Sequence, residues 1–360
     1  MRKWMSLLFL ISLALQSYAQ RNDYVITGKV LDQSTGQPLA GASVFCQNTT
    51  LGTITNSQGV FRLQVPSGGY DLAVSYMGFE TNSMRVSSEL AAQPITIEMK
   101  KQDKTMQEVA VVGSTEVKDG WDKYGKFFMD NFIGTTPNAS LCELENRDAL
   151  RFFYSKKRNR LKILTKEDLI ITNKALGYKI RYQLDSFVFE YNNNISVFTG
   201  YPLFEELAGT DAEKSTWMVN REKAYFGSRL HFMRSWYDST LSEQGFVLEK
   251  ITNLQAANGI KIDNPYDSAF YLVDSTNNDT EITLSGRLRI TYREEMPDPA
   301  YLAAYKLPKF MRVQISAIDV ADFFVIEENG YFYEQGNVVN TGYWAWEKIA
   351  EALPYDYWPQ

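Results

Sequence analysis

The chain has 360 residues, 44% of them hydrophobic and 22% charged, enough for roughly two packed domains and too apolar for a mostly disordered protein. Its net charge of −6 excludes the basic stripe that nucleic-acid binding needs, so no nucleic-acid partner is expected. Only nine of the aromatic residues precede Val117, which predicts two parts of different make-up.

Arg2 and Lys3 stand before an apolar run from Trp4 to Leu15, and Ser17-Tyr18-Ala19 fits a small-x-small cleavage site. Residues 1–19 therefore read as a signal peptide, and losing Arg2 and Lys3 takes the net charge from −6 to −8. That run is about half of what spans a bilayer, and no later run approaches ~18 apolar residues. The expectation is an exported protein with no membrane-spanning helix after cleavage. Cys46 and Cys142 fall one in each part. Export permits a bridge between them, and two unrelated thiols are the alternative.

From residue 24 to 100 short alternating runs are separated by turn residues. Ile26, Gly28 and Val30 share one face, Thr35-Gly36-Gln37-Pro38 breaks the run, and Ala42, Val44 and Cys46 form the next inward row. Asn56-Ser57-Gln58-Gly59 reads as a hairpin turn leading to Phe61, Leu63 and Val65. Leu72, Val74 and Tyr76, then Ile95, Ile97 and Met99, complete about seven strands, the pattern of a two-sheet sandwich.

Residues 101–120 read as a linker with a charged start and a short apolar strand, Met106–Gly113. Gly120 to Phe127 has the spacing of a phosphate loop, but Phe127 stands where Ser or Thr must ligate magnesium. Trp121, Tyr124, Phe128 and Phe132 instead predict an amphipathic helix opening a second domain, 121–360.

Strands are predicted at Ala149–Tyr154, Leu161–Leu164, Leu169–Thr172, Tyr178–Tyr191 and Ile195–Phe204. Helical periodicity runs from Ala212 to Tyr237, broken at Gly227-Ser228, with Met218, Arg221, Tyr225, Phe232 and Trp236 on one face. Further strands are predicted at Phe246–Lys250, Ala269–Val273, Thr283–Tyr292, Arg312–Ile318 and Phe323–Ile326, then a helix from Tyr343 to Leu353. The fold class is an all-β transthyretin/Ig-like sandwich followed by an α+β domain.

The runs G-K-V-x-D-x-x-T-G-x-P-L-x-G-A-S-V (Gly28 to Val44), G-T-x-T-N-x-x-G-x-F-x-L (Gly52 to Leu63) and S-Y-M-G-F-E (Ser75 to Glu80) resemble the carboxypeptidase-like regulatory domain family. That resemblance implies a transthyretin-like sandwich, common in exported proteins of the Bacteroidota, and hence a periplasmic or outer-membrane-associated place. It implies no single activity. A similar E-V-V-V segment follows this domain in outer-membrane transporters and pairs with an energising partner. Here the strand is expected to lead into the next domain, because only about 240 residues come after it where such transporters carry a plug and a large barrel. Asn131–Ser140, Asn173–Leu184, Ala224–Arg234 and Gly342–Tyr357 resemble the partner region of exported Bacteroidota proteins with the same sandwich in front, which implies no activity either.

A zinc carboxypeptidase site needs two histidines and a glutamate. His231 is the only histidine, so that chemistry is excluded and no cofactor or metal is expected. Two constellations remain as candidate contacts. Ser228, Arg229, His231 and Arg234 follow a glycine on one helix and could hold a carboxylate or phosphate, against a packed, hydrogen-bonded histidine on a polar helix edge. Trp344, Trp346, Tyr355 and Trp358 crowd one stretch and could stack on sugar rings, against plain core packing. Glu205-Glu206 and Glu294-Glu295 with Asp298 read as solvated surface. The reading is a non-catalytic envelope protein, a binding or docking module with an envelope protein or glycan as partner. The alternatives are a polysaccharide-binding or polysaccharide-processing protein and an accessory of an outer-membrane transporter.

Overall fold

The computed structural model describes residues 23–88, 90–102, 114–252, 259–276 and 278–360. The signal peptide expected at residues 1–19 and the strand expected at Met106–Gly113 lie outside the described residues.

Alternation in Val60–Val65 places Phe61, Leu63 and Val65 inward and their neighbours in solvent, as a sheet with one buried face demands. It is one of seven strands: β1 (Tyr24–Asp32), β2 (Ser43–Cys46), β3 (Gly52–Ile54), β4 (Val60–Val65), β5 (Tyr70–Ser75), β6 (Asn82–Val86) and β7 (Ile95–Met99). They form a three-stranded sheet, β4-β1-β7, facing a four-stranded sheet, β3-β2-β5-β6, over a shared core. β1 runs antiparallel to β4 and parallel to β7. Gly28 is required in β1, since a Cβ there would lie 2.5 Å from the Ile95 carbonyl oxygen. The chain is thus an N-terminal all-β sandwich followed by an α+β region.

That region has two further cores. In the first, helix α1 (Gly120–Phe132) lays Phe128 and Phe132 on a seven-stranded sheet. The hub of this sheet is the long strand Tyr178–Glu190, paired with Ile195–Glu206 along its length. A register shift between Leu184 and Ser186 bends the pair. On its other side the hub's first half pairs with Leu169–Asn173 and its second with Arg160–Thr165. Helices α2 (Asp211–Tyr225) and α3 (Arg229–Tyr237) come next, separated by Gly227-Ser228 as the periodicity predicts. Of the predicted shared face, Arg221, Tyr225, Phe232 and Trp236 are buried, while Met218 is 44% exposed.

The second core takes Phe232, Met233 and Trp236 of α3 together with a five-stranded and a four-stranded sheet. The strand predicted over Thr283–Tyr292 forms over Gly286–Tyr292, and an unpredicted strand, Asp279–Ile282, precedes it in a different sheet. Gly286 (φ +104) lets the chain leave one sheet for the other. The helix predicted from Tyr343 to Leu353 is one turn, Tyr343–Trp346, and a short 3-10 turn, Ile349–Glu351. Trp344 enters the second core while Ile349 and Ala350 enter the first, and one straight helix cannot face both. Both cysteines are free thiols.

The sandwich is locked to the α+β region by backbone hydrogen bonds. The Asn48 N–H donates to the Pro202 carbonyl at 2.8 Å, the Phe204 N–H to Thr49 at 2.9 Å and the Tyr355 N–H to Asn48 at 2.7 Å. Leu203 is buried against Phe45 and Ala73.

Candidate functional site

α3 starts where Ser228 caps it, its hydroxyl accepting from the His231 N–H at 3.2 Å. His231 is buried among Tyr225, Phe226, Phe246 and Tyr292. Its Nδ1 accepts from the Gly227 N–H at 3.1 Å, which leaves Nε2–H to donate to Gln244 Oε1 at 3.1 Å. Burial pushes its pKa down to about 4. Arg229 sits over the Phe332 ring. Arg234 is 1% exposed and gives its guanidinium to three carbonyls, those of Asn329 at 3.0 Å, Tyr357 at 2.9 Å and Tyr355 at 2.9 Å.

The aromatic candidates are placed just as firmly. Trp344 donates from its indole to the Gly227 carbonyl at 2.7 Å and packs on Phe232. Trp346 donates to the Thr135 hydroxyl at 3.2 Å and lies among Tyr301 and Tyr343. Tyr355 is buried beside Tyr331. Trp358 is half-buried and covers the Arg234 guanidinium at 3.8 Å. The two constellations therefore meet: Arg234 of one clamps the backbone of Tyr355 and Tyr357 and stacks on Trp358 of the other. Trp344 touches the start of α3, and Trp346 lies in a separate small cluster.

This clamp builds one wall of a cleft of about 190 Å³, lined by Thr50, Tyr178, Glu206, Arg221, Asp356 and Trp358 among others. Thr50 comes from the sandwich, Tyr178 and Glu206 from the two long strands, and Arg221 from α2. Asp356 fastens the site to the sandwich, accepting from the Thr50 N–H at 2.9 Å and from the Thr50 hydroxyl. Arg221 spans the floor. Its Nε donates to the Leu176 carbonyl at 2.7 Å and its Nη1 to Glu206 at 2.8 Å, and its plane lies 3.9 Å over the Tyr178 ring. A smaller hollow shares Asp356 and Trp358 and adds Pro66, Ser67 and Tyr70 of the sandwich. The cleft thus sets the carboxylates of Glu206 and Asp356 beside the half-buried Trp358, a surface for hydrogen-bond donors carried on an apolar or cationic body.

Sequence reasoning missed Thr50, Tyr178, Arg221 and Asp356 as partners. One signal was present: Arg221 occupies an inward position of α2, where a charge must find buried partners.

A second buried cluster joins the sandwich to the second core. Glu327, 2% exposed, pairs with Arg85 of β6 and accepts from the Gly69 N–H at 2.9 Å. The Tyr331 hydroxyl donates to Asp71, and Arg85 lies over the Tyr333 ring. Burial pushes the Glu327 pKa up to about 7, against the pull of Arg85.

Several known proteins are similar to parts of this chain. TonB-dependent receptor SusC of Bacteroides thetaiotaomicron is 32% identical over 108 residues, 30% of this chain and 10% of that protein. TonB-dependent receptor P3 of Formosa agariphila is 25% identical over 113 residues, 31% of this chain and 11% of that protein. The chain spans about a tenth of the length of these relatives. Among solved structures, 3-chlorocatechol 1,2-dioxygenase of Rhodococcus opacus is 13% identical over 24% of this chain and 63% of that chain, with a TM-score of 0.19. A cohesin–X-dockerin complex of Acetivibrio cellulolyticus is 21% identical over 26% of this chain and 77% of that chain, with a TM-score of 0.20. Scores this low carry no argument about function. The sandwich, by contrast, matches a family over nearly its whole length: residues 26–111 match the model of the CarboxypepD_reg-like domain.

Proposed function

We propose that this chain is a non-catalytic protein of the cell envelope, periplasmic or outer-membrane associated, that works as a docking module beside TonB-dependent uptake. The observation that carries the reading is the junction cleft, where Thr50 of the sandwich, Arg221 of α2 and the stretch Tyr355–Trp358 meet on hydrogen-bonded supports. A partner seated there touches the sandwich and the α+β region at once. The likeness of about a third of the chain to TonB-dependent receptors supports the setting. The lone histidine, with both ring nitrogens engaged, favours binding over acid–base chemistry. A photo-crosslinking residue at Trp358 tests it in the native envelope. The expected result is one discrete envelope partner, lost when Glu206→Lys reverses the charge at that position of the cleft. A hydrolase or transferase activity in the purified protein overturns the reading.

A second reading, a site for envelope polysaccharide, rests on the half-buried Trp358 standing beside Glu206 and Asp356. Tryptophan fluorescence titrated with neutral oligosaccharides checks it. A saturable shift lost in Trp358→Ala supports glycan binding, and an unchanged spectrum dismisses it.

A further inference from the structure

Between the strands Gly286–Tyr292 and Gln314–Val320 the chain makes an ordered excursion. Helix α4 (Pro299–Ala304) is capped by Asp298, which accepts from the Ala300 N–H at 2.7 Å. The chain turns back at Lys306 (φ 54), with Leu307 N–H donating to the Leu302 carbonyl at 2.8 Å and Met311 N–H to the Pro308 carbonyl at 3.1 Å. Tyr301 and Leu302 are buried with Tyr343 and Trp346, and Leu307 and Met311 pack on that cluster. A loop anchored this well nevertheless leaves three large apolar side chains in water. Phe310 is 79% exposed, Met296 55% and Tyr305 52%.

Charge accompanies them. From Met296 to Arg312 there are three cations, Lys306, Lys309 and Arg312, against one acidic residue, the capping Asp298, in a chain whose net charge is −6. All three cations are exposed, and Arg312 Nη1 lies 3.2 Å from Met296 Sδ, so cation and apolar tip are neighbours. A bilayer interface satisfies such a set together: the ring and thioether enter the boundary of headgroups and acyl chains, and the ammonium and guanidinium groups reach the phosphates. It does so without the matched concave shape that a protein partner would have to supply.

We propose that the loop Met296–Arg312 seats the protein on an anionic lipid bilayer. This surface is separate from the junction cleft, and its test does not depend on what the cleft binds. The experiment is co-sedimentation of the purified protein with vesicles of phosphatidylcholine alone or with one third phosphatidylglycerol. The expected result is binding to the anionic vesicles only, released by high salt. Phe310→Ser and the triple reversal K306E/K309E/R312E should each weaken it by about tenfold or more. Phe310 lies outside the packed cores, so its replacement leaves them intact, and an unchanged thermal melt of each variant verifies this. Absence of vesicle binding overturns the proposal, as does binding that neither variant weakens. It is equally overturned if Phe310→Ser leaves vesicle binding intact and instead abolishes self-association or capture of an acidic protein.

Discussion

His231 contributes to stability through its neutral ring. Its pKa in the fold, about 4, lies below the value of about 6.5 that the unfolded chain has. The unfolded chain therefore binds more protons, and the contribution is full above pH 6.5 and lost as pH falls through 4. Its size is on the order of 3 kcal/mol. Urea titrations of wild type and His231→Gln across pH 4–8 check this. Their difference should grow with pH up to 6.5 and then stay level. Glu327 has the opposite sign. Its carboxyl is held up to about 7, so its contribution is full below the ordinary carboxylate value of about 4.5 and lost as pH rises through 7. Glu327→Gln should flatten the stability profile between pH 5 and 7.5, read by thermal melts. Arg234→Ala leaves three carbonyls without their donor around a buried position and should cost about 3–5 kcal/mol, measured by chemical denaturation.

At the scale of elements, period-two alternation was enough to read the sandwich, because the pattern belongs to each strand alone. β4 shows it cleanly. The 3.6-residue period likewise marked α1, α2 and α3, and Gly227-Ser228 marked the break between the last two. The helix predicted after Tyr343 failed because that stretch divides its aromatic and aliphatic residues among different cores. That division is not local, so tertiary packing overrode the helical pattern. Gly28 yields the matching prediction. Gly28→Val pushes β1 off β7 at the Ile95 carbonyl and should cost about 1–3 kcal/mol, with loss of hydrogen-exchange protection in Ile95–Met99.

Across the whole molecule, two side-chain carboxylates help to fasten the sandwich. Asp356 holds the loop at Thr50, and Glu327 holds β6 and Gly69. Asp356→Ala removes the first, and the expected outcome is faster hydrogen exchange at Asn48–Thr50 and Tyr355–Trp358 with the sandwich core unchanged. Uniformly faster exchange across β1–β7 would show instead that Asp356 supports the sandwich itself. The partners were invisible in sequence because Thr50 and Asp356 lie 306 positions apart.

The sandwich, its family and the order of most later strands are legible in the amino-acid sequence alone, since turn residues and hydrophobic period act over a few neighbours. The residues of both constellations are legible there too, without their relation to one another. That Arg234 grips the stretch Tyr355–Trp358, and that the cleft forms where five distant segments meet, emerged only with the packed chain. A buried guanidinium must satisfy its donors wherever carbonyls are brought within 3 Å, and that is set by how the cores pack.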